Sequence, residues 1–122
     1  MFLMGSFSSG GYLTKSRFKV ALECPTKLRY ELDPDQYHND NNGNPFLEAL
    51  AKGGFQVGEL AKLHYPEGVE CGAPGYEVPL EETRSLIDGG QKVIFEAAIR
   101  SGHKFVRIDI LEILPEEIRV IE

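Results

Sequence analysis

Two carboxylates near the end of the sequence, Asp109 and Glu122, have the type and spacing to share a hard cation. They lie in Lys104 to Glu122, KFVRIDILEILPEEIRVIE, where two runs rich in Val, Ile and Leu flank Leu114-Pro115-Glu116-Glu117. A proline-led turn between two β-forming runs predicts a β-hairpin. Pairing of Leu114 with Glu117 across a two-residue turn sets Asp109 directly opposite Glu122. Like charges facing each other on a ladder are destabilising, so a purely structural hairpin has no use for the arrangement. A divalent cation that takes oxygen ligands does. A slip of one residue would throw the two side chains onto opposite faces, so the reading depends on register.

Other charged residues carry competing readings. With a two-residue turn at Ser101-Gly102, Glu96 lies opposite Arg107 and forms a cross-strand ion pair; the alternative is a place in the acidic site. Asp109 itself can be an outward strand residue paired with Arg107 or a lysine. Lys15, Arg17, Lys19, Lys27 and Arg29 make the first helical region basic within an acidic chain. That region is either a phosphate-contacting face or a solvated helix surface. The loop Asp33 to Pro45 is rich in Asp and Asn but lacks the Gly and Glu placement of a calcium-binding EF-hand loop.

The elements that position these residues follow from period and punctuation. Thr14 or Ser16 caps a helix carrying Phe18, Ala21 and Leu22 on one side. Pro25 interrupts it at Cys24, and a further turn or two carries Leu28 inward. Phe46 to Lys52 starts a helix that Gly53-Gly54 stops or bends, and Gln56 to His64 resumes helical spacing up to Pro66. Val69, Glu70 and Cys71 form a short strand. Pro79 to Asp88 is a helix with Leu86 and Ile87 inward and Gly89-Gly90 at its end. Strands follow at Gln91 to Arg100, Lys104 to Leu114 and Glu117 to Glu122. Helices first and an antiparallel meander last predict an α/β (α+β) fold with helices covering the sheet.

At 122 residues the chain has room for one domain and one core. The net charge of -6 argues against a whole-surface grip on nucleic acid, while leaving room for a local basic groove. No apolar run approaches the ~20 residues of a membrane span. Met1 to Gly11 lacks the basic start of a secretory signal and reads as a disordered leader, with the domain spanning residues 12–122. Cys24 and Cys71 lie far apart with no CxxC, so neither a disulfide framework nor a zinc knuckle follows. A cytoplasmic location is the expectation. The last strand is still β-forming at Ile121-Glu122, as in a truncated domain, and its apolar edge at Ile118 to Ile121 invites a homodimer.

Tyr12-Leu13-Thr14-Lys15-Ser16 with Phe18, and Cys24-Pro25 with Leu28, resemble the opening of RecB-like nucleases of the PD-(D/E)XK superfamily, which include the CRISPR-adaptation exonucleases. Val57-Gly58-Glu59-Leu60-Ala61 resembles their following helical motif. Ile94-Phe95-Glu96-Ala97-Ala98 and Phe105-Val106-Arg107-Ile108-Asp109-Ile110-Leu111 resemble their first core strands, and Ile118-Arg119-Val120-Ile121-Glu122 the strand that carries E-x-K. The resemblance covers residues 12–122. It implies a restriction-endonuclease-like core that hydrolyses DNA phosphodiesters with Mg or Mn held by Asp109 and Glu122, with Glu96 as a further site residue. Lys15, Arg17 and Lys19 would contact nucleic acid. The family's histidine ligand would fall at Lys62, so Glu59 or His64 would have to substitute. Cys24 matches the first cysteine of an iron-sulfur cluster found in some of these nucleases, whose other ligands would belong to a longer protein. The E-x-K lysine would stand two positions beyond Glu122, where the sequence given ends. The expectation is therefore the N-terminal portion of a nuclease domain, inactive by itself. The alternatives are a non-catalytic nucleic-acid- or protein-binding module on the same fold, and a small α+β protein with an accidental likeness.

Overall fold

The computed structural model describes residues 11–122; apart from Gly11, the expected leader lies outside the described residues. In chain order the elements are β1 (Leu13–Thr14), α1 (Lys15–Glu23), α2 (Pro25–Glu31), α3 (Pro45–Lys62), β2 (Val69–Glu70), α4 (Glu77–Asp88), β3 (Val93–Ser101), β4 (Lys104–Ile113) and β5 (Ile118–Ile121). The class is mixed α+β. The described residues form two compact units: residues 11–15 with 68–122, and residues 16–67.

The first unit is built on the β3–β4 hairpin, paired antiparallel from Val93 opposite Glu112 to Ser101 opposite Lys104. Its turn is Gly102-His103, with Gly102 at φ +59°, a left-handed position that glycine takes without steric cost. The expected turn at Ser101-Gly102 is thus displaced by one residue. Arg107 faces Ala98, not Glu96. The sheet is mixed rather than a simple meander: β2 runs parallel to β3, and β1 parallel to β4. With β3 along one edge of β4, both β1 and β5 must use the other. β1 takes it at Lys104 and Phe105, and β5 at Ile110 to Ile113.

Val93, Ile94 and Phe95, an unbroken apolar run, are buried on both sides of β3, as a central strand requires. Ile94, Ala97, Ile108, Leu111 and Cys71 form the core, with Leu86, Val106 and Ile113 packed against it. Gly68 lets the Phe95 ring lie close against the backbone, since a Cβ there would meet the ring at 2.2 Å. Beyond Glu70 the outer edge of β3 loses its strand partner, and α4 takes over. The Thr83 hydroxyl accepts the Ala98 N–H at 2.9 Å, so a buried donor is satisfied where the ladder stops. α4 presents Pro79 and Thr83 inward with Leu86 one turn on; Ile87, expected inward, is exposed. Tyr12, Tyr76 and Phe105 stack with ring centroids 4.9 to 5.5 Å apart. The Tyr12 hydroxyl donates to Glu77 at 2.7 Å and accepts from Arg100 at 2.9 Å.

The second unit is helical. Pro25 separates α1 from α2 as expected. Gly53 and Gly54 neither stop nor bend the chain into two helices: α3 runs continuously through them for 18 residues. Glycine costs ~1 kcal/mol per position relative to alanine, but it keeps its N–H and so does not break the ladder. Asn44 opens this helix by accepting the Phe46 and Leu47 N–H groups at 3.0 and 3.4 Å, with Pro45 at the first position. Among the described residues, none of these three helices contains a buried one.

Candidate functional site

The β4–β5 hairpin has the register its turn implies. Leu114 donates its N–H to the Glu117 carbonyl at 2.9 Å, and the ladder runs from Ile113 opposite Ile118 to Ile110 opposite Ile121. The next level along is Asp109 and Glu122. The register is held by apolar alternation and by charge. Arg119, opposite Glu112, reaches that carboxylate at 3.5 Å and Glu117 at 2.5 Å.

Glu96 and Asp109 lie between the Phe95–Ile110 and Ala97–Ile108 pairs, so they stand at one level on neighbouring strands. Three acidic residues, Glu96, Asp109 and Glu122, therefore form a row across β3, β4 and the end of β5. Glu96 is the one described non-glycine residue with positive φ, at 55°. A left-handed residue inside a strand costs of order 1–3 kcal/mol and persists only where its surroundings impose it.

The proposed cross-strand partner of Glu96 is engaged elsewhere. Arg107 donates to the carbonyls of Ala73 and Cys71, pinning the chain that follows β2, and its buried Nε has no partner among the described residues.

A cation does reach Glu122, from a direction that sequence reading missed. β1 and β5 share one edge of β4 but occupy different ends of it, which leaves Val106 to Asp109 between them. The chain leaving β1 and the chain ending β5 converge there. Lys15, the first residue after β1, donates through Nζ to Glu122 Oε2. The hydrogen bond to Glu122 holds its ammonium above the ordinary lysine range, and the charges of Glu122 and Asp109 add to this. The ammonium pairs with Glu122 and also feels the charge of Asp109, which stands at the same level of the sheet. A weak signal was present in Leu13-Thr14, β-forming residues that the helix-cap reading of Thr14 absorbed.

Two solvent-accessible carboxylates at one level, Glu122 with a protein ammonium as its counter-ion, supply oxygen donors of the kind a hard divalent ion takes. Mg and Mn bind through one or two carboxylates while keeping several waters. Among the described residues no group of three or more His, Cys, Asp and Glu is gathered closely enough to enclose a metal, so the fit is to a two-carboxylate site.

The remaining sequence candidates lie in the helical unit. Glu59 accepts from Lys62 at 2.8 Å on the exposed side of α3, and Lys62 stands where a histidine was expected. His64 is exposed just past the helix end and donates its N–H to the Ala61 carbonyl at 3.1 Å. On α1, Lys19 is exposed and Arg17 half-buried. Cys24 is an exposed free thiol before α2, drawn below its ordinary range by the backbone N–H groups of Lys27 and Thr26. Cys71 is buried and receives the Thr83 hydroxyl at 3.5 Å.

Comparisons with protein-family models, with curated protein sequences and with solved structures find no match.

Proposed function

We propose that this chain is part of a metal-dependent DNA nuclease with a restriction-endonuclease-like, RecB-type core. In this reading Asp109 and Glu122 hold Mg or Mn. The observation that carries it is the hairpin register, which brings two like charges to one level of the sheet, one of them paired with the Lys15 ammonium. Such an arrangement is unfavourable without a counter-ion and useful with one. The bound metal would lower the pKa of a coordinated water and offset charge on the phosphoryl oxygens.

The chain's own residues have separable tasks. Asp109, on a central strand, is the rigid ligand; Glu122, at the end of an edge strand, is the adjustable one. Glu96, on the other side of Asp109, orients water or a second ligand at the same level. Arg17 and Lys19 supply positive charge for a phosphate backbone. Cys24 as an iron-sulfur ligand belongs to the same proposal and applies only with further cysteines.

Manganese titration followed by calorimetry tests the reading. Asp109→Ala and Glu122→Ala are each expected to weaken binding at least tenfold. Equal affinity in wild type and both variants rejects the site. A second reading, a non-catalytic nucleic-acid- or protein-binding module, is favoured by the Lys15 contact, which already neutralises Glu122. Absence of manganese binding in wild type, and equally in a variant whose Lys15 is neutralised, selects it.

A further inference from the structure

We infer that Lys15 is a third functional residue of this site, a tethered ammonium that holds the cation position at Asp109 and Glu122 until a divalent ion displaces it. The inference rests on the metal-site reading above and assigns a role to a residue outside the two ligands.

The argument begins with the backbone. β1 is only two residues long, yet it is fixed against β4 by Leu13 opposite Lys104 and Thr14 opposite Phe105, and by the Leu13 N–H donated to the His103 carbonyl at 2.7 Å. Chain direction then delivers Lys15 to the unoccupied part of the β4 edge. Glu122 arrives at the same place from the opposite direction, carried by the β5 register. The lysine is not a chance surface neighbour: two independent strand pairings, one parallel and one antiparallel, bring it there.

Stability does not account for the contact. The Lys15 and Glu122 side chains are 55% and 33% exposed, and exposed ion pairs contribute little because solvent screens them. Occupancy does. Without a cation, Asp109 and Glu122 repel across the ladder; an ammonium relieves this but brings fewer charges than a divalent ion. A lysine on a flexible four-carbon stem can leave as the metal enters and remain within reach of a phosphate oxygen. Metal entry and release of Lys15 are then one event.

Manganese calorimetry and lysine acylation read by mass spectrometry test this on the chain as it stands. Lys15→Met should bind manganese about fivefold or more tightly than wild type, whereas Lys15→Arg, which keeps the charge, should bind as wild type does. In wild type, saturating manganese should speed acylation of Lys15 severalfold, and Asp109→Asn should abolish that acceleration. Equal manganese affinity in wild type and Lys15→Met, or acylation of Lys15 indifferent to manganese, overturns the inference while leaving the two-carboxylate site intact. Failure of wild type and Lys15→Met alike to bind manganese overturns both.

Discussion

The two units of this chain solve the problem of stability differently. In the sheet unit, Cys71, Ile94 and Ala97 are 0% exposed, and the residue following β2, the β3–β4 hairpin and α4 converge on one cluster. In the helical unit the large apolar side chains face outward, with Phe46, Phe55 and Leu63 each about 70% exposed. Its helices are defined instead by local devices: the Asn44 cap, the Pro25 and Pro45 starts, and the short-range pairs Lys27–Glu23 and Lys62–Glu59. Burial of apolar surface is the dominant favourable term in folding. The sheet unit therefore has a scaffold rigid enough to fix side-chain geometry, and the acidic row with its lysine is found there.

The largest expected effect tests this contrast directly. Ile94→Ala, which empties a fully buried position, should destabilise the protein by ~2–5 kcal/mol in denaturant unfolding. Phe55→Ala, which removes an exposed ring from α3, should change stability by less than ~0.5 kcal/mol. Comparable losses from the two would erase the distinction between the units.

A smaller effect is expected at Glu96. If its left-handed backbone is imposed by the sheet for the sake of the acidic row, Glu96→Gly should relieve the strain and raise stability by about 1 kcal/mol. Destabilisation by that amount would mean that the Glu96 side chain supports the sheet rather than the site.

The smallest effect belongs to the helical unit and depends on pH. Hydrogen bonding and charge from Lys27 hold the Glu23 carboxyl below its ordinary range. A lowered carboxyl pKa contributes stability that is present above the unfolded value and lost as pH falls through the folded one. Helicity should therefore decline slightly as pH drops below about 4.5, and Glu23→Gln should remove this part of the decline. An unchanged acid profile in that variant would show that the pair contributes nothing.

Much of the sheet's local pairing was legible in sequence, and its long-range pairing was not. Pro115 and the alternation on either side of it set the β4–β5 register, because proline at a turn leaves few alternatives. The β3–β4 register was misread because Ser101, Gly102 and His103 admit two turns that differ by one residue. Choosing the wrong one moves each partner by two positions while keeping its face, and so sets Arg107 opposite Glu96 instead of Ala98. Gly53-Gly54 suggested a break because glycine is a poor helix former, but it lacks the missing N–H that makes proline a true stop. The Lys15 contact was hidden for a different reason: it depends on a two-residue parallel strand, which has no periodicity to detect and whose partner is distant in sequence.

The central claim is that Asp109 and Glu122 act together on one cation, and a double-substitution manganese titration tests it most directly. If both bind the same ion, Asp109→Ala and Glu122→Ala should each weaken binding at least tenfold, and the double variant should lose much less than the sum of the two free-energy losses. Strictly additive losses, or a loss in only one of the single variants, would contradict the shared site.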